Sequence, residues 1–431
     1  MSFAGAVVLG AGLLCLPWST TSGHISFIDA LFTSTSAVCV TGLIVQDTPA
    51  YFSPMGQTII LGLIQLGGLG IMTFSSLILL VAGGKISMRD RILVGEGFEP
   101  WAGRDFRSLI KDIFFFTLAI ESAGCLSLFL RFQRDFPLSK ALALSLFHSV
   151  SAFCNAGFSL FSDNLVSYRS DVQVNVTVML LIIFGGLGFF VLRRLGSALL
   201  GFLKRRKTSF FLHTKLVLST TAILIILGGI VFFMLEKGSA MRAFSLKEKI
   251  LSSLFQVVTA RTAGYNTMDL AALGGGAVFL LILLMFIGAS PGSTGGGVKT
   301  STVAVIAFFL KSKITARDSV NIFSRTIPRD TVIKAYTVIS LSLSLVFFSS
   351  FILLLEHPEM TMEQVLFEVF SAFGTVGLSL GITPKLSVIS KAILILTMYV
   401  GRIGPLTLLY SFSRYRAKGR FNYVEENVMI G

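Results

Sequence analysis

The chain has 431 residues, of which 53% are hydrophobic and only 13% are Asp, Glu, Lys or Arg. The mean hydropathy is +0.81, which excludes a disordered chain, a coiled coil and an ordinary soluble enzyme, whose charged share is about a quarter. The composition therefore predicts an integral membrane protein. We assign the net charge of +14 to basic cytoplasmic loops rather than to nucleic-acid binding.

Predicted membrane spans alternate with shorter amphipathic stretches along the chain. The first span follows the start directly, and we interpret it as a helix because it has no basic region or cleavage site typical of a signal peptide. The predicted spans are 3–17, 57–82, 112–130, 172–192, 214–235, 274–310, 332–355 and 386–412, and the shorter stretches are 25–37, 138–152, 247–258 and 361–373.

Each short stretch ends in a segment of small and polar residues around one glycine, which we call a strip. The four strips are Thr35–Leu43, Val150–Phe158, Val258–Tyr265 and Phe370–Leu378. Their glycines, Gly42, Gly157, Gly264 and Gly377, recur at similar intervals. One unit of helix, half-helix, strip and helix therefore occurs four times.

A second motif keeps the same register inside the second helix of each unit. The four segments are Gly67–Gly70, Gly185–Gly188, Gly288–Gly292 and Gly401–Gly404. Alternatively, these small residues only permit close helix packing. The two motifs together predict an all-α membrane protein with eight transmembrane helices, arranged as four tandem helix–pore-loop–helix repeats around one central pore. The repeats are 1–83, 84–192, 193–310 with a broken second helix, and 311–431 with a cytoplasmic tail.

Lys and Arg are concentrated in the loops between repeats and in the C-terminal tail. The loops 84–111, 193–215 and 311–334 carry most of them, whereas the half-helix segments carry few. The positive-inside rule therefore predicts that both termini are cytoplasmic and that the strips open toward the outside.

Irregular backbone at membrane depth is tolerated where it lines a water-filled path or is buried in protein. Four strips around one axis can direct backbone carbonyls inward, where they replace the hydration shell of a cation. Glycine permits the unusual backbone dihedrals that this requires. The strips therefore indicate an ion pore.

The four repeats, each with one glycine at the matching position of its strip, resemble the Trk/Ktr/HKT superfamily of potassium transporters, and the length is most like the Ktr-type membrane subunit. Glycine at all four positions implies a potassium filter by that resemblance. The filter residues would be Val40, Thr41, Gly42, Asn155, Ala156, Gly157, Thr262, Ala263, Gly264, Thr375, Val376 and Gly377. Arg261 stands where the first two strips have cysteine, which leaves the carbonyl geometry of the third strip open.

The resemblance also implies assembly and ligands. It implies a homodimer with one pore in each protomer, regulated by a separate cytosolic ring subunit that binds nucleotide. K⁺ would be the transported ion and Na⁺ a coupling or activating ion, with no organic cofactor in this chain. The lipid bilayer is then the other partner.

The glycine-rich run before Lys299 invites comparison with a phosphate-binding loop. That pattern needs glycine directly before the lysine, but Val298 intervenes and both flanks are apolar spans. The run instead breaks the helix, and we expect it to have little packing. The resemblance implies an intramembrane gate made of Ala289, Ser290, Pro291, Gly292, Ser293, Thr294, Gly295, Gly296 and Gly297, together with Arg402.

Arg402 stands in register with small residues, Gly68, Gly186 and Ala289, of the other second helices. A charge at this depth is costly unless it finds partners or water, so Arg402 is either a barrier inside the filter or half of a salt bridge. Glu121, an acid within a predicted span, is the candidate partner.

Three acids, Asp47, Asp163 and Asp269, follow the strip glycines by five or six residues. They form either an acidic collar at the outer mouth or simple turn and cap positions.

Two other functions compete with a potassium channel. A secondary-active cation or solute transporter with a midplane site is the main alternative, but such folds usually pair repeats of opposite orientation. A membrane enzyme is less consistent with the sequence, because no carboxylate pair, Cys/His pair or metal cluster recurs within the spans.

Overall fold

In the computed structural model, the described residues are 3–70, 106–204 and 210–412. They are predominantly helical, as the composition predicts, with one short antiparallel hairpin. Residues 71–82 of the second predicted span, most of the loop 84–111 and the tail after 412 lie outside the described residues. The helices are α1 (Phe3–Leu14), α2 (Phe27–Val38), α3 (Thr48–Tyr51), α4 (Pro54–Leu69), α5 (Phe106–Phe132), α6 (Leu138–Cys154), α7 (Val172–Leu187), α8 (Phe189–Leu203), α9 (Leu212–Glu236), α10 (Leu246–Thr259), α11 (Gly275–Phe286), α12 (Thr300–Ile314), α13 (Arg329–Glu356), α14 (Met362–Gly374), α15 (Val388–Ile403) and α16 (Pro405–Phe412), and the strands are β1 (Asn321–Ile322) and β2 (Arg325–Thr326).

The short helices α2, α6, α10 and α14 each lead into one of the strips. Ser26 begins α2 by accepting the backbone N–H of Asp29 at 3.2 Å. Capping boxes begin α10 at Ser245 and α14 at Thr361. Such caps satisfy N–H groups that the first helical turn leaves unpaired. The sequence thus determines where three of these helices start.

By length and composition, three described helices are apolar enough to cross a membrane, or four if one bent pair counts as a single span. The three cover Ile110–Phe132, Leu212–Glu236 and Arg329–Glu356, and the bent pair is α7 with most of α8. Helices α1, α4 and α11 are apolar but shorter. Eight crossings therefore stay a prediction.

Breaks are more widespread in the second helices than the sequence predicts. α4, α7 and α15 end directly before Gly70, Gly188 and Gly404, whose φ values are +78°, +89° and +95°. At the second of these breaks α7 and α8 meet at 108°. The predicted spans 172–192 and 386–412 are therefore wrong as continuous helices. The cause is the last glycine of the repeated motif, which adopts left-handed backbone without steric cost.

The second helix of each unit packs against the short helix of the next unit. α4 packs on α6, α7 on α10, α11 on α14, and α15 on α2. Across the last contact Lys391 Nζ lies 2.7 Å from the Asp29 carboxylate. The outer faces of the long helices expose large apolar side chains such as Phe115, Ile223 and Phe348, as expected of a lipid-covered surface. The short helices therefore form a closed circle inside an apolar exterior.

Candidate functional site

The four strips share one backbone conformation. In each strip the glycine has a φ between +70° and +92°, and the residue two positions earlier also has a positive φ although it is not glycine. Such non-glycine positions are uncommon and cluster at functional sites. The four pairs are Val40 and Gly42, Asn155 and Gly157, Thr262 and Gly264, and Thr375 and Gly377.

The four strip glycines converge. A β-carbon placed on Gly42 would lie 3.0 Å from the Cα of Gly157, and one on Gly157 would lie 3.0 Å from the Cα of Gly264. In the same way Gly264 faces Gly377 at 3.2 Å, and Gly377 faces Gly42 at 2.9 Å. The strips therefore form a closed ring in chain order, in which the second and fourth strips are opposite each other. A side chain at any of these glycines would strike backbone.

Backbone carbonyl groups surround the point where the glycines meet. Each glycine faces the carbonyl oxygen of the residue that precedes the glycine of the following strip. Carbonyl dipoles that converge from separate strips can replace the water around a cation. The four oxygens belong to Thr41, Ala156, Ala263 and Val376.

The third strip keeps this conformation despite its different approach. Gly264 has a φ of +78°, within the range of the other strip glycines, and Thr262 has a φ of +80°, positive like the +50° to +61° at the same position of the other strips but larger. Arg261 is buried behind them, and its Nη2 donates to Thr221 Oγ1 of α9 at 3.4 Å. The arginine therefore changes what lies behind the strip and leaves its backbone dihedrals similar.

A cavity of about 430 Å³ lies at the end of the strips that follows the glycines. All four strip glycines line it, and so do Asp47, Asp163 and Asp269. Asp163 also accepts the backbone N–H of Ser167 at 2.9 Å, and Asp269 accepts that of Ala271 at 3.0 Å. The structure thus brings the three acids to one cavity while giving two of them a local turn or cap role as well.

The segment between α11 and α12 lies against the opposite end of the strips. Thr294 Oγ1 donates to the carbonyl of Phe153 at 3.3 Å, and the N–H of Gly296 donates to Thr375 Oγ1 at 2.9 Å. Residues 294–296 are buried. The expectation that this glycine-rich segment has little packing is therefore wrong, because contacts with two strips hold it in place.

Arg402 connects this segment to the first repeat. Its Nη1 donates to the carbonyl of Thr294 and its Nη2 to the carbonyl of Gly67. Of the two alternatives for Arg402, the ion pair with Glu121 is wrong, since the Glu121 carboxylate instead accepts Gln65 Nε2 at 3.3 Å. Carbonyl partners do not cancel a formal charge. The guanidinium therefore remains a positive charge next to the strips.

Sequence reasoning missed the hydroxyl groups that hold the strips from behind. Ser36 Oγ accepts the N–H of Gly42 at 3.0 Å, and Ser371 Oγ accepts the N–H of Gly377 at 3.0 Å. Ser151 at the same register donates to a carbonyl of the second strip at 2.9 Å. The sequence did contain a signal for these contacts, because three strips have a serine six residues before the glycine.

Comparison with known proteins identifies the family of this chain. Residues 7–422 match the TrkH family of cation transport proteins. The Ktr system potassium uptake protein B of Bacillus subtilis is 41% identical, and the alignment covers 100% of this chain and 95% of that protein. The potassium/sodium uptake protein NtpJ of Enterococcus hirae is 38% identical, with 99% and 94% covered.

Among solved structures, the potassium transporter TrkH of Vibrio parahaemolyticus has a similar fold. The TM-score is 0.72 at 20% sequence identity, and the superposition covers 96% of this chain and 86% of that one. Family match, full-length relatives and fold thus agree over nearly the whole sequence. The chain belongs to the TrkH family of cation transport proteins, a family of membrane transporters rather than of enzymes.

Proposed function

We propose that this protein is a potassium-selective uptake subunit of the cytoplasmic membrane and that cations pass through the ring of four strips. The observation that carries the proposal is the convergence of four carbonyl-bearing strips, each with glycine at the meeting point. The names of the relatives from Bacillus subtilis and Enterococcus hirae support potassium as the transported ion. Eight crossings in four repeats, with both termini cytoplasmic, complete the proposed architecture.

The proposed filter consists of the twelve residues at positions 40–42, 155–157, 262–264 and 375–377. Its outer mouth is the cavity lined by Asp47, Asp163 and Asp269, where negative charge raises the local cation concentration.

The proposed gate is the segment 289–297 together with Arg402. The segment contacts strip residues that precede the glycines, whereas the outer cavity is lined by residues at and after them. It therefore lies across the inner exit of the ring. The guanidinium of Arg402 adds an electrostatic barrier there, because a cation leaving the strips approaches a like charge in surroundings of low dielectric.

The proposed assembly is a homodimer regulated by a cytosolic nucleotide-binding ring subunit. It is supported by the similarity to a Ktr system protein along the full chain. Na⁺ acts in this proposal as a coupling or activating ion, which is supported by the similarity to the potassium/sodium uptake protein of Enterococcus hirae.

Ion flux into vesicles tests the proposal. The purified full-length chain in lipid vesicles should take up K⁺ in preference to Na⁺, and the K⁺ flux should be measured with and without external Na⁺. Protein-free vesicles are the control. Saturable counterflow of an organic solute without K⁺ flux would contradict the channel-like mechanism and favour a secondary transporter.

A further inference from the structure

The position nine residues before each strip glycine holds four different side chains, Thr33, His148, Phe255 and Glu368. All four lie on the short helices behind the strips. His148 and Glu368 are almost completely buried, with exposed fractions of 1% and 0%. They belong to the second and fourth strips, which are opposite each other in the ring. Neither the carbonyl ring, the gate nor the outer acids account for this pair.

His148 holds the second strip where it enters the outer cavity. Its Nδ1 lies 2.8 Å from the carbonyl of Leu144, so Nδ1 carries the proton and Nε2 is the acceptor. Nε2 lies 3.1 Å from Ser159 Oγ and accepts the N–H of Leu160 at 3.4 Å. Ser159 Oγ in turn accepts the N–H of Phe161 at 3.0 Å. The imidazole thus fixes two consecutive residues after the strip glycine.

Glu368 makes the corresponding arrangement behind the fourth strip. Its Oε2 accepts Ser379 Oγ at 2.8 Å, and its Oε1 accepts the hydroxyl of Thr383. Ser379 Oγ accepts the N–H of Gly381 at 3.0 Å. Ser379 follows its strip glycine by two residues, as Ser159 does, and the N–H that it accepts is at the equivalent position. In both strips a serine two residues after the glycine contacts a buried acceptor of the short helix, His148 for Ser159 and Glu368 for Ser379, and we call this arrangement the brace. Two opposite strips therefore have the same brace, built from different acceptors.

The first and third strips lack this brace. At the position two residues after the glycine they have Ile44 and Asn266, opposite Thr33 and Phe255 on the short helices. Ile44 has no polar group, and Phe255 offers no acceptor. All four of the residues at that position after the glycines line the outer cavity. At the third strip the Asn266 amide instead donates to the carbonyl of Met268 at 2.9 Å, and the N–H of Asn266 donates to Asn164 Oδ1 at 3.3 Å. Among the described residues, a serine held by a buried acceptor of the short helix therefore occurs on two opposite sides of the ring.

We propose that His148 and Glu368 are positioning residues that fix the outer ends of two opposite strips and thereby set the preference for K⁺ over Na⁺. The inference rests on the proposed function, in which the strips are the filter. Ser379 donates its proton to Glu368 and accepts the N–H of Gly381. Ser159 accepts the N–H of Phe161, and both His148 Nε2 and the carbonyl of Asn164 are within reach of its proton. The serines therefore orient backbone rather than serve primarily as ion ligands. Discrimination between cations depends on the positions and number of the carbonyl dipoles, which the braces hold.

The test measures K⁺ and Na⁺ flux into vesicles containing equal amounts of full-length variants. We expect Glu368→Ala and Ser379→Ala to lower the ratio of K⁺ to Na⁺ flux by about fivefold, since each breaks hydrogen bonds to a buried polar group. Glu368→Gln keeps an acceptor oxygen and should restore most of the ratio. His148→Ala and Ser159→Ala should act likewise. Thr33→Val, at the same register behind an unbraced strip, is the matched control.

If the variants of His148 and Glu368 do not fold, Ser159→Ala and Ser379→Ala still test the inference. An unchanged flux ratio in both Ser159→Ala and Ser379→Ala would overturn the inference. A loss of K⁺ affinity in Glu368→Gln with an unchanged ratio would overturn the positioning role and indicate a purely electrostatic one. If substitution of a strip glycine leaves the ratio unchanged, the proposed filter fails. If it changes the ratio and the brace variants do not, only the present inference fails.

Discussion

The strips and the second helices are both repeated four times. The four strips are similar to one another, whereas the second helices differ between repeats. The strips keep a positive φ at the same two positions even where the sequence changes, as at Arg261 in the third repeat. In the second helices one repeat has a buried glycine-rich segment and another has Arg402, which donates to that segment. A ring that selects cations by their size needs equivalent carbonyl ligands on all sides. A barrier, in contrast, can be formed by a charged residue in one repeat alone. Substitutions in the strips should therefore change the selectivity between cations, and substitutions in the second helices should change the rate of ion flux.

Substitution of Gly42 by serine should have the largest effect. A side chain at its φ of +91° costs about 1–2 kcal/mol, and the β-carbon would lie 2.5 Å from the carbonyl oxygen of Ala156. Displacing one carbonyl makes the ring unequal, so we expect the K⁺ to Na⁺ flux ratio to fall by about tenfold, which corresponds to ~1.4 kcal/mol. Flux of each cation into vesicles measures it.

Gly62→Ser is the matched control for this change. Gly62 lies on the same unit in α4 and is exposed, and a β-carbon added to it would meet nothing within 4 Å. The control should keep the wild-type ratio. An unchanged ratio in Gly42→Ser would remove this glycine from the filter.

The backbone conformation of the strips was largely predictable from the sequence, whereas the contacts of the second helices were not. A repeated glycine next to a polar or small residue indicates a backbone conformation, which is a local property, and positive φ values do occur at the four repeated glycines. The role of the strips as a filter stays a prediction. The partners of Arg402 are backbone carbonyls of Thr294 and Gly67, and carbonyls are present at every position, so no residue type marks them. Glu121 was the candidate partner because it is an acid within a predicted span, but Arg402 donates to backbone carbonyls instead.

The packing of the glycine-rich segment was missed for a related reason. Its composition predicts weak packing because glycine has no side chain to bury. The structure instead uses the absence of side chains to bring backbone close to Thr262 and Thr375 of the strips. Helix breaks at Gly70 and Gly188 were overlooked because the surrounding apolar sequence is continuous, although the glycines themselves were the signal.

Deletion of Ser293–Gly296 should have the second-largest effect. In the proposed gate the segment closes the inner end of the ring, so its removal should open that exit. We expect basal K⁺ flux to rise by about fivefold, the scale of one lost hydrogen bond in a two-state equilibrium. Flux is measured without any added regulatory protein. Thr294→Val, which removes only the hydroxyl bond to Phe153, should raise flux in the same direction by less.

A lower flux in a deletion variant that inserts at normal abundance would indicate that the segment supports the strips rather than closing them. The contacts to two strips make this a meaningful alternative, so the flux ratio of K⁺ to Na⁺ is measured in the same vesicles. A gate should change the rate and leave the ratio close to wild type.

Arg402→Ala should raise K⁺ flux by about threefold, because it removes both a positive charge near the exit and the hydrogen bond to Thr294. Arg402→Gln separates the two contributions. Its amide can still donate to a carbonyl but carries no charge, so the flux of this variant should also rise if the charge is the barrier. Reduced flux in both variants at normal abundance would contradict the barrier and indicate that the arginine mainly joins the repeats.

The outer acids should give the smallest effect, and their effect should depend on salt. Asp47 accepts Ser162 Oγ at 2.7 Å and lines the cavity, whereas the Asp163 carboxylate also accepts the backbone N–H of Ser167. Asp47→Asn removes charge with little change of shape. We expect the apparent affinity for K⁺ to fall by about twofold at low ionic strength and to return toward wild type at high salt, because the Debye length shrinks from about 30 Å at 0.01 M to about 3 Å at 1 M.

Asp163→Asn and Asp269→Asn distinguish an acidic collar from local caps. If the collar concentrates cations, each neutral variant lowers the apparent affinity with the same salt dependence, and the triple variant lowers it further. If the two residues act as turn and cap residues, their variants lower the thermal midpoint of unfolding and their effect on affinity does not depend on salt, since a backbone hydrogen bond is not screened as an exposed charge is. The fourth strip has no acid at this position, so its side of the cavity provides the uncharged reference. Introducing aspartate on that side, as Leu380→Asp at a residue that lines the cavity, should strengthen K⁺ affinity at low salt only on the collar interpretation, and an equal change at high and low salt would show that the cavity does not act through its charge.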